Sequence, residues 1–115
     1  MCRFVLAFPI AEFATDSRRD GTRAIARFEG ELDCAAESLA RIEIEIALER
    51  GGTELVIDLS DVDFLDARGV HVLIDAGAAC RAQHRTLTVI PGPEHVQRIL
   101  TLCGVPFAPP ERVAA

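Results

Sequence analysis

The spacing of hydrophobic residues along the chain switches between the two-residue repeat of strands and the 3.6-residue repeat of helices. Residues 24–28 (AIARF) have the composition of a short strand, and the Asp20-Gly21 turn separates them from an earlier strand. Residues 54–59 form a nearly continuous apolar run, which is typical of a central strand covered on both faces. We interpret residues 60–66 as a connection, and residues 86–90 predict a further strand.

Helical spacing alternates with these strands. The spacing predicts helices at residues 35–50, at about 68–84 and at 94–102. Gly51-Gly52 ends the first helix, Pro93 lies at the start of the third, and Gly104 is its natural C-terminal cap. Residues 105–115 contain three prolines and are expected to form a short tail. The residues predicted to pack inward are Leu39, Ile42 and Ile46 in the first helix, Val70, Leu73, Ile74 and Gly77 in the second, and Val96, Ile99 and Leu100 in the third. The alternation of strands and helices predicts an α/β sandwich.

Size and charge narrow the functional classes. A chain of 115 residues fits one domain, residues 1–115, with its core at about 8–107. The formal net charge of -6 opposes binding to nucleic acid or to anionic lipid. No apolar run approaches the roughly 20 residues that span a bilayer. We interpret residues 1–8 as an entering strand or a lead-in rather than a secretory signal, and therefore expect a cytoplasmic protein without direct membrane insertion.

Reactive side chains are scarce, which argues against an enzyme. All 12 basic residues are arginine, so Schiff-base chemistry and the lysine of phosphate-binding loops are both excluded. None of the serines lies in a Gly-x-Ser-x-Gly elbow, and the histidines and cysteines lack metal-ligand spacing. Asp58 ends an apolar strand, as the phosphate-accepting aspartate of a response-regulator receiver does. Receivers also share an acidic pair after the first strand and a lysine after the last, and this chain has neither. We therefore expect no cofactor and no metal.

The cysteines leave two readings open. They are scattered and include no Cys-x-x-Cys pair, so buried free thiols are the simpler interpretation. The alternative is a redox-sensitive bond between Cys80 and Cys103, which both lie near ends of predicted helices.

Two segments together resemble a known family. They are GELD at residues 30–33 and ELVIDLSDVDFLDARGVHVLIDAG at residues 54–77, followed by VQRILTLCGV at residues 96–105. The chain resembles the STAS domain, which is found in bacterial anti-sigma factor antagonists and in the cytoplasmic tails of sulphate transporters. The resemblance implies a mixed sheet of four or five strands with helices packed against it, in the element order that the hydrophobic pattern predicts.

The resemblance also places a candidate partner-binding loop at residues 66–69. In antagonists of the family this loop normally reads Asp-Ser-Ser-Gly, and the kinase-type anti-sigma factor that the antagonist binds phosphorylates the first serine. Here that position is Ala67, which has no hydroxyl to accept a phosphoryl group. Asp66 is placed to cap the helix that follows. The positive charge of Arg68 lies at the positive end of the helix dipole, which is locally unfavourable. We expect this repulsion to be offset by an acidic partner surface, by a salt bridge to Asp63 or Asp66, or by extension of the side chain into solvent.

Three further residues complete the candidate partner-binding set. Gly69 allows close approach at the helix start, either by a partner or by a neighbouring strand. Val70 follows it in the same helical turn. Asp33 ends the GELD segment in the same region if the family layout holds, and its simpler role is a second helix cap.

These features lead to a hypothesis of function. The chain is expected to be a non-enzymatic regulator that binds a kinase-type anti-sigma factor, with no phosphorylation switch at Ala67. A homodimer is a candidate assembly. Two alternatives stay open: an accessory subunit of an ABC-transporter ATPase, and a module that senses a small ligand or nucleotide.

Overall fold

The structure is a computed structural model, and it describes residues 13–108. Four strands and three helices follow one another along these residues. In chain order they are β1 (Ala14–Asp20), β2 (Arg23–Leu32), α1 (Glu37–Glu49), β3 (Glu54–Leu65), α2 (Ala67–Ala82), β4 (Thr86–Ile90) and α3 (Glu94–Leu102). The predicted α/β class is confirmed. The predicted start of the core at residue 8 and the predicted segment at residues 1–8 lie outside the described residues.

The strands form one mixed sheet in the order β1-β2-β3-β4. β1 pairs with β2 in the antiparallel sense through the predicted turn, where Gly21 has a φ of 63°. The pairs β2–β3 and β3–β4 are parallel, and each is joined through a helix. The carboxyl ends of β2 and β3 therefore lie at the same edge of the sheet, where Leu32 pairs with Leu65.

Strands β2 and β3 both extend beyond the predicted bounds. The GELD segment was expected to end its strand at a loop, but β2 continues through Leu32, and most of the expected connection at residues 60–66 belongs to β3. Pairing continues across two register shifts, each of which places an extra residue in β3, and an ion pair between Arg27 and Asp61 joins the two strands there. The second half of β3 carries the exposed acidic side chains of Asp61 and Asp63, so its hydrophobicity pattern does not indicate a strand.

The core lies between the sheet and the helices. The strands contribute alternate residues to it, namely Ala24, Ala26 and Phe28 of β2 and Leu55, Ile57 and Leu59 of β3, and α2 and α3 add Val72, Leu73, Val96 and Leu100. Val56 is also fully buried, so β3 is covered on both faces as predicted. Burial of these side chains supplies the main favourable free energy of folding.

The predicted packing face of α1 is wrong. Leu39 and Ile42 are each 53% exposed, and Ile46 is 39% exposed. The buried face instead carries Ala40, Ile44 and Ala47, continued by Ala36 at the N-cap, so three of the four residues that contact the core are alanine. Both sets of residues recur at helical spacing. The prediction chose the set with the larger hydrophobic side chains, and that set is the exposed one.

A smaller correction applies to α2. Ile74, expected on the packing side, is 46% exposed, whereas Val70 and Leu73 are buried as predicted. Of the three residues predicted to face inward on α3, Val96 and Leu100 are fully buried and Ile99 is partly buried.

Helices α2 and α3 end in the same way. In each case the residue after the C-cap has a positive φ, 58° at His84 and 76° at Gly104. The next amide then donates to a carbonyl five residues back, from Arg85 to Cys80 at 2.8 Å and from Val105 to Leu100 at 2.9 Å. This is the Schellman pattern, and the predicted cap at Gly104 is confirmed.

The segment after α3 is only partly a tail. Val105 and Ala108 are buried, and the Ala108 amide donates to the Val89 carbonyl at 2.8 Å. Residues 105–108 thus pack against the sheet without regular secondary structure. Among the helices of residues 13–108, none has the length and hydrophobicity needed to cross a membrane.

Candidate functional site

The candidate site lies at the edge of the sheet where β2 and β3 end. Because Leu32 and Leu65 are paired, the residues that follow them, Asp33 and Asp66, leave the sheet side by side. The Asp66 amide donates to the Leu32 carbonyl at 3.4 Å, which ties the two chain segments together. The parallel pairing of β2 and β3 therefore brings the GELD segment and the loop at residues 66–69 to one place.

Asp66 caps α2, as predicted. Its Oδ1 accepts a hydrogen bond from the Gly69 amide at 3.0 Å, and its backbone is extended at the N-cap position. This bond satisfies one of the amides that a helix start leaves without a partner, and such caps contribute about 1 kcal/mol. The Asp66 carboxylate is therefore engaged in local structure.

Asp33 plays a similar local role one turn ahead of α1. Its Oδ1 accepts from the amides of Ala35 at 3.0 Å and Ala36 at 3.1 Å, in a turn that leads into the helix. The helix itself begins at Glu37, and the Ala36 N-cap makes no side-chain cap of its own. Asp33 thus fixes the approach to α1 rather than capping the helix directly.

Ala67 is exposed and is the first residue of α2. Arg68 follows it with 61% of its side chain exposed, and its Nη1 donates to Glu37 Oε1 at 2.9 Å. The compensation expected for Arg68 therefore comes from a residue of α1, rather than from Asp63 or Asp66. This ion pair connects the N-terminal turns of α1 and α2.

Glu37 belongs to a longer chain of charges. Its Oε2 accepts from Arg41 Nε at 3.0 Å, and Arg41 Nη1 donates to Asp75 Oδ2 at 2.8 Å. The hydrogen bond from Arg41 has the largest effect on the pKa of Glu37 and lowers it. Desolvation has a smaller, opposite effect, and the hydrogen bond from Arg68 lowers the pKa further. Bonding to Asp75 and to Glu37 raises the pKa of Arg41. Glu37 and Arg41 therefore both stay charged near neutral pH.

Gly69 and Val70 belong to the packing of α2 and not to its surface. A Cβ at Gly69 would lie 2.5 Å from the Leu32 carbonyl oxygen and 2.6 Å from Leu65 Cδ1. The close approach anticipated at Gly69 is therefore made by the neighbouring strands. Val70 is 3% exposed. Neither Gly69 nor Val70 is therefore exposed to a partner at this surface.

Sequence reasoning missed three features of this region. The Glu37–Arg41–Asp75 chain was not anticipated, although the four-residue spacing of Glu37 and Arg41 is a recognisable helical ion pair. Cys34 is exposed next to Asp33, and Phe64 is 46% exposed two residues before Asp66. An exposed aromatic side chain on a strand gives no distinct sequence pattern.

The structure offers no metal centre among residues 13–108, where no three His, Cys, Asp or Glu side chains converge. Cys34, Cys80 and Cys103 are free thiols, and the prediction of buried thiols is correct for Cys80 but wrong for Cys34 and Cys103, which are exposed. Burial raises the pKa of the Cys80 thiol, which makes it a poor nucleophile at neutral pH.

Comparison with known proteins identifies the family. A family model described as the STAS domain matches residues 15–111. The chain belongs to the STAS domain family. The match spans both segments that meet at the candidate site, so the predicted family and its fold are confirmed. Comparison with curated protein sequences gave no match.

Solved structures of other proteins share the fold. The unphosphorylated anti-sigma factor antagonist SpoIIAA is 20% identical, with a TM-score of 0.71 over 88% of this chain and 93% of that one. An anti-sigma factor antagonist from Mycobacterium paratuberculosis is 24% identical, with a TM-score of 0.68 over 82% of this chain and 80% of the other. A sulfate transporter family protein from Wolinella succinogenes is 15% identical, with a TM-score of 0.63 over 73% and 68% of the two chains.

Proposed function

We propose that this STAS domain is a non-enzymatic regulator that binds a kinase-type anti-sigma factor through the surface around Ala67. The main support is the position of Ala67, exposed at the start of α2 and beside the paired ends of β2 and β3. The similarity to two anti-sigma factor antagonists points to the same class of partner. Cys34, Ala67 and Arg68 are the exposed residues of the proposed surface, and Asp33 and Asp66 are partly exposed beside them.

We further propose that binding is not switched by phosphorylation at residue 67. A hydroxyl is the acceptor in serine phosphorylation, and alanine has none. The partner would then stay bound until its concentration, or a signal acting elsewhere, changes. The cytoplasmic location and the homodimer expected from the sequence stay predictions.

Arg68→Met tests the surface. Candidate anti-sigma factors encoded near the gene are titrated into the protein, and binding is measured by calorimetry. We expect a several-fold loss of affinity for Arg68→Met and no loss for Arg98→Met, since Arg98 is 69% exposed on α3 and its one ion pair within residues 13–108 is with Glu94. Equal affinities for the wild type and Arg68→Met would contradict the role of Arg68.

Ala67→Ser tests the missing switch. The new hydroxyl lies on an exposed residue, so the variant should fold as the wild type does. With the bound kinase-type partner and labelled ATP, we expect phosphate incorporation into Ala67→Ser and none into the wild type. Labelling of the wild type would show that another residue accepts phosphate, and absence of label from both would argue that the partner is not a kinase.

The second candidate function is an accessory role in membrane transport. The fold similarity to the sulfate transporter family protein favours it. Co-purification with a transporter ATPase and not with an anti-sigma factor would support this function over the first.

A further inference from the structure

A cleft lies at the end of α2 that is farthest from Ala67. It has a volume of about 500 Å³ and opens to solvent between the second half of α2, the start of β4 and the residues that follow α3. Its lining is mostly apolar and includes Leu73, Leu87 and Val105. Its charged residues are Arg81 and Arg85. Clefts of this size and mixed lining are typical of sites for small molecules.

Part of the Arg85 guanidinium has no acceptor in the described part of the chain. Its Nη1 is shielded from solvent and has no hydrogen-bond partner within residues 13–108. Neither Arg85 nor Arg81 forms an ion pair with a carboxylate of that part of the chain, whereas Arg23, Arg27 and Arg41 do. A shielded guanidinium nitrogen without an acceptor is costly to a folded protein, and an acceptor supplied by a bound anion would remove that cost.

The two arginines differ in what already stabilises them. Arg81 lies in the last turn of α2, where a cation is favoured by the negative end of the helix dipole. Arg85 lies past the helix end, and its amide is fixed by the bond to the Cys80 carbonyl. Burial raises the pKa of the Cys80 thiol, and the positive charges of Arg85 and Arg81, which both line the cleft, oppose that rise.

The walls of the cleft are held in place before any ligand binds. Arg85 and Val105 each occupy the last position of a Schellman motif, at the ends of α2 and α3. The cleft is thus bounded by two closed helix ends and a strand. Such a site needs little rearrangement to bind, which preserves affinity.

We propose that this cleft binds an amphipathic organic anion, with a carboxylate or sulfate head on Arg85 and Arg81 and an apolar body against Leu73, Leu87 and Val105. A guanidinium group suits such a head because it can donate two parallel hydrogen bonds. The cleft lacks the glycine-rich loop that cradles a polyphosphate, which favours a single anionic group over a nucleotide. The proposal is independent of the partner proposed for the surface around Ala67.

Two variants test the cleft by different means. Arg85→Met removes the charge and the unpartnered nitrogen but retains an unbranched side chain. Gly77→Leu blocks the cleft and leaves both arginines, because a Cβ at Gly77 would sit 3.6 Å from Leu87 Cδ2 and from Arg81 Nη1 without a clash. Arg98→Met is the matched control, since it removes an exposed arginine of α3 outside the cleft.

The measurement is calorimetric titration and thermal denaturation of the full chain with sodium decanoate below its micelle concentration. We expect saturable binding to the wild type and to Arg98→Met, and at least a tenfold loss of affinity in Arg85→Met and Gly77→Leu. Unliganded Arg85→Met should melt no lower than the wild type, because the shielded cation is gone. A purely structural Arg85 would instead lower the melting temperature when replaced.

Three results would overturn the proposal. Absence of saturable decanoate binding to the wild type would exclude the ligand class. Equal binding of decylamine would exclude recognition of the anion. Binding of inorganic phosphate as tight as that of decanoate would exclude a role for the apolar walls.

Discussion

Gly69→Ala is the substitution whose effect on the candidate site follows most directly from the structure. The added Cβ would lie 2.5 Å from the Leu32 carbonyl oxygen and 2.6 Å from Leu65 Cδ1, where non-bonded carbon contacts prefer about 3.5–4.0 Å. The start of α2 would have to move by roughly 1 Å away from the ends of β2 and β3. Overpacking of this kind lowers the free energy of unfolding by about 1–3 kcal/mol, and the higher helix propensity of alanine offsets at most about 1 kcal/mol of that loss.

We therefore expect Gly69→Ala to lower the free energy of unfolding by about 1–2 kcal/mol. Gly77→Ala is the matched control on the same helix. Its Cβ would meet Leu87 and Arg81 at an ordinary distance of 3.6 Å, so the propensity gain should raise stability by roughly 0.5–1 kcal/mol.

Urea denaturation followed by circular dichroism measures both effects, because the chain has no tryptophan or tyrosine for fluorescence. Opposite signs for the two substitutions would support the packing role of Gly69. A Gly69→Ala variant as stable as Gly77→Ala would refute the argument that contact with β2 and β3 demands glycine.

Three further effects can be measured on the same protein. Ile44→Ala should cost about 2–4 kcal/mol by urea denaturation, and Ile42→Ala under about 1 kcal/mol, because Ile44 is 6% exposed and Ile42 is 53% exposed. His84→Gly should raise stability by about 1 kcal/mol in thermal denaturation, because His84 has a φ of 58° and glycine adopts that conformation without strain. NMR titration should show that Arg41→Met raises the lowered pKa of Glu37 towards its usual value. Since that pKa is lowered on folding, ionised Glu37 stabilises the wild type at higher pH, and the contribution is lost as pH falls through the lowered pKa.

Much of the fold could be predicted because its local patterns are strong. The bounds of β4 and α3 agree with the sequence prediction, and the Asp20-Gly21 turn and the Gly104 cap have the expected positive φ. Each of these features depends on residues close together in the chain. The burial of the first half of β3 follows likewise from its nearly continuous apolar run at residues 54–59.

The errors arise where the structure depends on distant residues. On α1 the sheet packs against a stripe of mostly alanine, and no local pattern shows that small residues will form the contact. In β3 the polar second half becomes a strand only because β2 continues beside it. The partner of Arg68 was also missed, because Glu37 is 31 residues away and approaches only when α1 and α2 pack together.

The pair of Arg68 and Glu37 yields a last prediction about the surface around Ala67. Any partner that binds Arg68 has to share its guanidinium with Glu37, to which Nη1 already donates at 2.9 Å. Glu37→Gln keeps an oxygen for Arg41 but releases part of the charge that holds Arg68. Exposed ion pairs are worth about 0.2–1 kcal/mol, so partner affinity should rise by up to about fivefold in calorimetry.

Its control is the double variant with Arg68→Met, in which Glu37→Gln should no longer improve binding. Loss of affinity in Glu37→Gln as large as in Arg68→Met would instead mean that the pair acts on the partner only by fixing α1 against α2. The sign of the change thus separates an arginine that contacts the partner from one that positions the helices.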